Sequence, residues 1–364
     1  MNDNVPPANE KVELQRPTTG KGPGGLANFP PEYFAMVMAT GIVSLAARDI
    51  GWDLIARALV WINTAAFIML WVITFARFAY YRSRFINDLT HHSHSAAFLT
   101  MVAAACILGC QFVELYGWSS VAKYLWYSGI GLWVILNYTF FAVVTVRDPK
   151  PSLQVGINGV WLLTVVSTES ICVLGALIAP FSKSAELILF PSLTFCLAGA
   201  AFYMFFITLI LYRWMFFKMR PEKLSPDYWI DMGALAIITL SLSLLLSVSS
   251  RWELLGQLSP FLIGLMLLFW AMATWWIPFL CIVEIWRHTY GRVPFIYGPD
   301  YWSLVFPLGM YSVATTTLIK VLGLTGLHTL AVVFSVLAVA TWVIVILGLL
   351  RHLARNILIE KTLL

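Results

Sequence analysis

Apolar stretches long enough to cross a lipid bilayer recur along almost the whole of this 364-residue chain. A transmembrane helix needs roughly 20 consecutive apolar residues. Hydrophobic residues make up 60% of the sequence and charged residues only 11%, too few to cover a soluble fold. We therefore expect an all-α integral membrane protein with ten transmembrane helices, near 31–47, 56–80, 94–114, 119–146, 155–178, 186–213, 228–248, 257–287, 301–320 and 326–352.

The two ends of the chain differ in character from this apolar body. Residues 1–29 are polar and rich in proline and glycine, and they lack the apolar core of a cleaved signal peptide. We expect a disordered cytoplasmic tail over 1–29, one membrane domain over 30–353 and a short cytoplasmic tail over 354–364. The five cysteines fall inside apolar segments without a regular spacing, so we expect no disulfide.

Lysine and arginine divide unequally between the two sets of loops. The tails and the loops after helices two, four, six and eight hold 17 of the 23 basic residues, and the opposite side holds six. Because basic loops stay cytoplasmic, both termini should be cytoplasmic in a multi-pass protein of the cell inner (plasma) membrane. The net charge of +5 then reflects topology, and we expect the lipid bilayer rather than a nucleic acid as a partner.

Three odd-numbered helices begin with the same signal. Proline, an acid and tyrosine open helix one at 31–33, helix seven at 226–228 and helix nine at 299–301. Internal duplication explains this pattern, and so does good capping at a membrane interface. The odd helices are shorter and richer in small residues than the even ones. This alternation predicts five helical hairpins, with odd helices inside and even helices outside.

Helix nine carries the most suggestive face. Trp302, Phe306, Gly309, Val313 and Thr316 recur at helical spacing, and a proline directly after Phe306 removes a backbone hydrogen bond. An aromatic ring beside such a kink is suited to plug a narrow pore, and moving one ring would open it. The alternative is that Phe306 is an ordinary packing residue. Phe306 is therefore a candidate pore gate, and the other four are candidate pore-lining residues.

An acid stands near the middle of helix five. Glu169 lies at a depth where a carboxylate is costly unless it faces the bundle interior or water. It is a candidate for proton coupling, for cation binding, or for a purely structural hydrogen bond. We also predict it to line the pore, together with Phe34, Gly41, Ser44 and Thr168.

Four basic residues stand at the outer ends of odd helices. Arg48, Lys183, Arg251 and Lys320 would form an outer basic ring that favours anions. Cations at helix C-termini are also favourable on dipole grounds alone, so both explanations remain open.

A group of histidines precedes helix three. His91, His92 and His94 have a spacing able to touch a metal, but no further ligand cluster completes a four-ligand site. No phosphate-binding loop or catalytic signature accompanies them. We expect no catalytic residues, metal or cofactor, and we predict that the chain is not an enzyme. A membrane haem or metal enzyme that uses these histidines is the competing class of function.

Several segments resemble one known family. Phe29 to Phe34, Met38 to Ser44, Gly159 to Leu163 and Tyr301 to Gly309 are similar to the tellurite-resistance/dicarboxylate transporters. That family includes TehA-type proteins, fungal malic acid permeases, fungal sulfite pumps and plant slow anion channels. Ala39 departs from it, since the permease branch has glycine there.

This resemblance implies a fold and a function. It implies ten helices as five hairpins in a quasi-fivefold array around a central pore, a homotrimer with one pore per subunit, and a plugging phenylalanine at Phe306. It also implies a transporter or channel for small anions, such as a C4-dicarboxylate like malate, sulfite or a tellurite-type oxyanion. A passive channel for chloride or nitrate is the alternative within the same class.

Overall fold

Ten long helices dominate the fold. The computed structural model describes residues 25–92 and 94–362, and it describes side chains as far as residue 355. These described residues contain no β-strand. In chain order the long helices are α1 Phe34–Asp49, α2 Asp53–Tyr80, α3 Thr100–Tyr116, α4 Ser119–Val146, α5 Leu163–Ile178, α6 Glu186–Phe216, α7 Ile230–Ser247, α8 Glu253–Thr289, α9 Trp302–Leu322 and α10 His328–Thr362.

The lengths and compositions of these helices fit a membrane protein. Together with their adjoining turns, α2 to α10 give nine segments in the described part of the chain that are long and apolar enough to cross a bilayer. Helix α1 has only 16 residues, fewer than an ordinary crossing helix. The all-α membrane class is therefore confirmed, and the count of ten crossing helices stays a prediction.

The odd-numbered helices contact one another in a closed cycle. Helix α1 packs against α3, α3 against α5, α5 against α7, α7 against α9, and α9 against α1 again. We call these five the ring helices. Each also packs against the helix that follows it, which joins the peripheral helices α2, α4, α6, α8 and α10 to the ring as five hairpins.

Burial separates the two sets of helices. The most apolar 18-residue stretch of Ser95–Tyr116, which contains α3, is entirely buried, and that of Gly159–Phe181, which contains α5, is 94% buried. The corresponding stretches of α2 and α4 are each only 22% buried, because their outward sides carry large apolar side chains. The prediction that odd helices lie inside and even helices outside is confirmed.

A short 3-10 turn precedes every ring helix. The sequence places the starts of helices three and five too early, because these turns are apolar and continue the helical pattern. The turns contact one another in the same cyclic order as the helices. We call them the lead-in turns; they are Pro31–Tyr33, Ser95–Leu99, Gly159–Leu162, Pro226–Trp229 and Pro299–Tyr301.

Arginines at the ends of peripheral helices hold the segments that lead into the ring. Arg77 of α2 donates to the backbone carbonyl of Ala27 over 3.2 Å. Arg147, directly after the end of α4, donates to the carbonyl of Thr90, which precedes α3. In each case the peripheral helix holds the segment before the ring helix of its own hairpin. The hydrogen bond satisfies a carbonyl that no helix bonds.

The third such arginine is buried. Arg213 of α6 donates to the carbonyl of Ile157, which precedes α5. It also donates to the Tyr228 hydroxyl in the lead-in turn of α7. Arg213 therefore joins two neighbouring hairpins.

The structure shifts both predicted tail boundaries. Residues 1–24 lie outside the described part of the chain, but Leu26–Asn28 form a 3-10 turn in which Ala27 is buried. Helix α10 continues to Thr362 rather than ending near 353, because no proline or glycine interrupts residues 351–362. The packed membrane domain thus begins a few residues before 30, and its last helix extends into the predicted tail.

Candidate functional site: a cavity in the ring

The C-terminal halves of the ring helices enclose a cavity of about 380 Å³. All five ring helices contribute to its wall, and no peripheral helix does. The cavity therefore lies along the axis of the ring. Two residues from each helix form most of the apolar wall: Ile42, Leu45, Ile107, Cys110, Val173, Leu177, Leu240, Leu244, Val313 and Thr317.

Seven residues closer to the N-terminus, the helix faces that line the cavity pack against one another and leave no cavity. Seven residues bring a helix back to nearly the same face, about 10 Å further along the axis. Every residue seven positions before those wall residues is buried, and none with a side chain is more than 3% exposed. These residues are Ala35, Met38, Thr100, Ala103, Val166, Ser170, Gly233, Ile237, Phe306 and Met310.

Phe306 is the one aromatic residue in this closed layer. Its neighbours in the layer are mostly small, which leaves room for a ring at the axis. The glycine at 233 brings α7 close to α9, since a Cβ there would lie 2.7 Å from Pro307 Cγ. Phe306 itself is fully buried and lies on the face of α9 that continues to Val313 in the cavity wall.

Two of the four predicted basic residues line the cavity. Lys320 is in its wall and has no ion-pair partner among the described residues. Arg48 is also in the wall, but it pairs with Asp49 at 2.8 Å and with Glu114, another wall residue. Lys183 and Arg251 are exposed and do not line it. Lys320 is exposed at the edge of the cavity and is the main unpaired charge of its wall.

Most of the predicted pore-lining residues contact neighbouring helices. Phe34 packs edge-on against Phe67 and Trp71 of α2. Ser44 donates to the carbonyl of Ala56 in α2 over 2.8 Å. Neither Phe34 nor Ser44 lines the cavity, and both side chains turn toward a peripheral helix.

The remaining predicted residues divide between packing and the axis. Gly41 allows close approach of α3, and Gly309 allows close approach of α1. Thr168 accepts a hydrogen bond from the indole of Trp133 in α4 over 2.8 Å. Of this group only Val313 lines the cavity, since Trp302 is buried beyond the closed layer and Thr317 takes the wall position in place of Thr316. Whether any of the others lines an open path stays a prediction.

Glu169 is fully buried between α5, α6 and α7. Neither carboxylate oxygen has a hydrogen-bond partner within the described residues. The serine hydroxyl of Ser241 in α7 donates to the Glu169 backbone carbonyl over 3.3 Å. The side chain approaches Gly199 of α6, where a Cβ would overlap a carboxylate oxygen.

Two acids that the sequence analysis did not single out are part of this architecture. Glu114 binds Arg48 at the cavity wall and reduces its positive charge. Asp231, in the first turn of α7, is fully buried, and neither of its oxygens has a partner among the described residues. The sequence could have indicated both, because each is an acid inside an apolar helix, as Glu169 is.

The histidines before α3 lie beside the lead-in turns. His94 Nδ1 is 3.6 Å from a Glu32 oxygen, and a hydrogen bond to this carboxylate raises the pKa of His94 above its usual value. Burial lowers the pKa of His91 and of His92. In the described part of the chain, the ring nitrogens of the three histidines do not lie together as a set of metal ligands. A carboxylate oxygen of Glu169 and the sulfur atoms of Cys172 and Cys196 do lie together.

Comparisons with known proteins agree with this geometry. A family model described as a voltage-dependent anion channel matches residues 28–350. A sulfite efflux pump of Arthroderma otae is 24% identical over 343 residues, which is 88% of this chain and 89% of that protein. An uncharacterized transporter of Methanocaldococcus jannaschii is 23% identical over 312 residues, 82% of this chain and 87% of that protein. An uncharacterized membrane protein of Mycobacterium tuberculosis is 34% identical over 150 residues, 41% of this chain and 76% of that protein.

Proposed function

We propose that this chain carries small anions along the axis of the ring and closes that path at Phe306. The chain is a membrane anion channel or transporter and belongs to the voltage-dependent anion channel (SLAC1) family. The closed layer one heptad from the cavity wall is the observation that carries this proposal. Its small side chains surround a single aromatic ring. Rotation of that ring would open the axis at this layer.

The cavity supports a small anion as the substrate. Its wall is mostly apolar, with Lys320 as an uncompensated cation, so an anion entering it meets a positive field without a tight ligand cage. We propose sulfite as the first substrate to test, because a sulfite efflux pump is similar over 88% of the chain. Malate and tellurite-type oxyanions are the next candidates, and chloride or nitrate would indicate a passive channel.

We propose Glu169 as the residue that couples anion flux to protons. The carboxyl group is buried and has no hydrogen-bond partner among the described residues, and Val173, one helical turn further along α5, lines the cavity. A proton from the cavity would therefore have to move only about 6 Å along the helix to reach it. A carboxyl group that gains and loses a proton at this depth would link the charge of the path to pH.

The arrangement of the chain in the membrane is part of the proposal. Helix α1 with its lead-in turn is about 30 Å long, which is enough to make a tenth crossing. We propose five hairpins in a quasi-fivefold array, with both termini in the cytoplasm of a cell with an inner membrane. The basic residues concentrate on the side of the chain termini, which supports this orientation. A homotrimer with one path per subunit follows from the family resemblance.

Flux measurements in liposomes test this function. The purified chain is reconstituted, and uptake of sulfite, malate, nitrate and chloride is measured with and without a proton gradient. We expect anion uptake by the parent protein and loss of the gradient dependence in Glu169→Gln. Asp231→Asn is the matched control, because that carboxyl group is equally buried and unpartnered but remote from the cavity.

Two results would contradict the proposal. Absence of uptake for every anion would remove the transport function. A proton-gradient dependence that survives in Glu169→Gln but disappears in Asp231→Asn would transfer the coupling role to α7.

A further inference from the structure

Two thiols accompany the buried carboxylate of Glu169. Cys172 follows it by three residues on α5, and Cys196 lies opposite on α6. A carboxylate oxygen and the two sulfur atoms all lie within 4.8 Å of one another, and all three residues are fully buried. In the described part of the chain, no other histidine, cysteine or acid joins a group this tight.

The carboxylate points into this group, and among the described residues neither of its oxygens has a hydrogen bond of good geometry. Burying such a group costs several kcal/mol in an apolar interior, unless a proton or a cation neutralises it. Gly199 leaves the space on α6 that the carboxylate occupies, one turn from Cys196. The packing of both helices therefore accommodates three ligand atoms that converge on one point.

We propose that Glu169, Cys172 and Cys196 form a binding site for a soft divalent cation of the zinc and cadmium class. Thiolates select soft ions, and a carboxylate oxygen is an accepted third ligand for zinc. Exchange of the two thiol protons for a divalent ion leaves the net charge of the site unchanged, so binding adds no further buried charge. Binding would release about two protons from the thiols to solvent.

The spacing requires only a small adjustment. Ligands at about 2.3 Å from a tetrahedral zinc ion lie about 3.7 Å apart. The three ligand atoms are separated by up to 4.8 Å, so they would move toward the ion by about 1 Å or less. Rotation of side chains supplies such a shift without moving either helix.

The cavity provides the route to this site. Val173 lines the cavity and directly follows Cys172 on α5. The site is thus next to the anion path and not within its wall. It shares Glu169 with the proposed proton coupling, but metal binding is measured without any transport, so the two proposals fail independently.

Cadmium titration of the purified full-length chain tests this site. The ultraviolet charge-transfer band of cadmium thiolate reports binding directly, and we expect about one ion per chain. Cys172→Ser and Cys196→Ser should each abolish the band, and Glu169→Gln should weaken affinity by about tenfold or more. Cys106→Ser is the matched control, since it removes a buried thiol of α3 that is outside the cavity wall, and it should keep the band.

A second measurement uses the parent protein alone. Cadmium should protect Cys172 and Cys196, but not exposed Cys281, from a thiol reagent applied during brief unfolding and mapped by mass spectrometry. This comparison remains informative if a serine variant does not fold. A band that persists without Cys172 and Cys196, or equal labelling of all three cysteines with and without cadmium, would overturn the proposal.

Discussion

The two halves of the ring use the same five helices and differ in what those helices enclose. At the C-terminal half the walls separate around a cavity of about 380 Å³, and Lys320 there has no ionic partner in the described part of the chain. At the N-terminal half the equivalent faces touch, and the lead-in turns contact one another. The fold is therefore not a uniform tube. The ring encloses a cavity at one end and is closed by side chains at the other.

The two halves of the ring also differ in the charged side chains that lie near them. The N-termini of ring helices favour anions through the helix dipole. The structure places three carboxylates there, Glu32, Asp227 and Asp300, within electrostatic range of one another. These acids offset the dipoles. The positive field that attracts an anion thus belongs to the cavity, where Lys320 lies.

Opening the closed half should have the largest effect. Phe306→Ala removes the only ring from the buried layer and leaves mostly small side chains, so we expect anion conductance to rise about a hundredfold, equivalent to about 2.7 kcal/mol off the barrier. Planar-bilayer recordings of the parent and the variant measure this change.

Phe34→Ala is the control for that experiment. Phe34 is also fully buried on a ring helix, but its ring packs against Phe67 and Trp71 of α2. We expect it to lower stability by about 3–5 kcal/mol without raising conductance. An equal rise in both variants would mean that loosened packing, and not a gate, governs the flux.

Removing the hydrogen bonds that join a peripheral helix to the N-terminal half of the ring should mainly reduce the stability of the fold. Arg213→Met removes the donor that holds Ile157 and Tyr228, and leaves both acceptors buried. We expect a loss of about 1.5–3 kcal/mol, the usual contribution of a hydrogen bond from a charged donor. Thermal unfolding in detergent measures it. Arg351→Met changes an exposed arginine at the corresponding position of α10 and should have little effect.

Neutralising the open half should reduce flux moderately. Lys320→Gln removes the uncompensated charge of the cavity, and a unit charge at ~4 Å in water contributes about 1 kcal/mol, or roughly fivefold in anion occupancy. Initial rates of sulfite uptake at low salt, compared with those of Lys183→Gln, measure this effect. Lys183 is exposed and outside the cavity wall, so equal losses in both variants would assign the effect to the general surface potential.

The smallest expected effect is a pH dependence at the closed end. The Glu32 carboxylate raises the pKa of His94, so the folded state holds this proton more tightly than the unfolded state does. The stabilisation is fully present below pH ~6.5 and is lost as the pH rises through the higher folded-state value. Because both side chains are partly exposed, we expect less than about 1 kcal/mol.

Thermal melts of the parent and His94→Gln between pH 5.5 and 8.5, roughly the range in which histidine titrates, check this prediction. The difference between the two proteins should shrink as the pH rises. His92→Gln is the control of opposite sign, because burial lowers the pKa of His92 and its neutral form is favoured on folding. A difference for His94→Gln that is constant with pH would exclude the ion pair.

The sequence was sufficient to predict the helices, their alternation between inside and outside, and the face that joins Phe306 to Val313. It could not predict which side of each ring helix faces the axis, because such a helix is apolar all round and periodicity has no polar face to detect. Ser44 and Thr168 illustrate this limit: their hydroxyl groups suggested a water-filled path, and both form hydrogen bonds to peripheral helices.

Pairings between distant residues were also outside the reach of the sequence. The sequence predicted Arg48 as a member of a basic ring, but Glu114 on the neighbouring ring helix forms an ion pair with it. The same holds for Cys172 and Cys196, which are on different helices and show no motif spacing. Both arrangements depend on how α1, α3, α5 and α6 pack against one another. A single amino-acid sequence does not show that packing.

The reversal potential of Phe306→Ala under a salt gradient tests the central claim most directly. With the plug removed, the current through the ring reports the selectivity of the path itself. We predict a reversal potential close to the equilibrium potential of the anion, because the cavity presents Lys320 to every passing ion. A reversal potential close to that of the cation, or no current at all, would contradict an anion path through the ring.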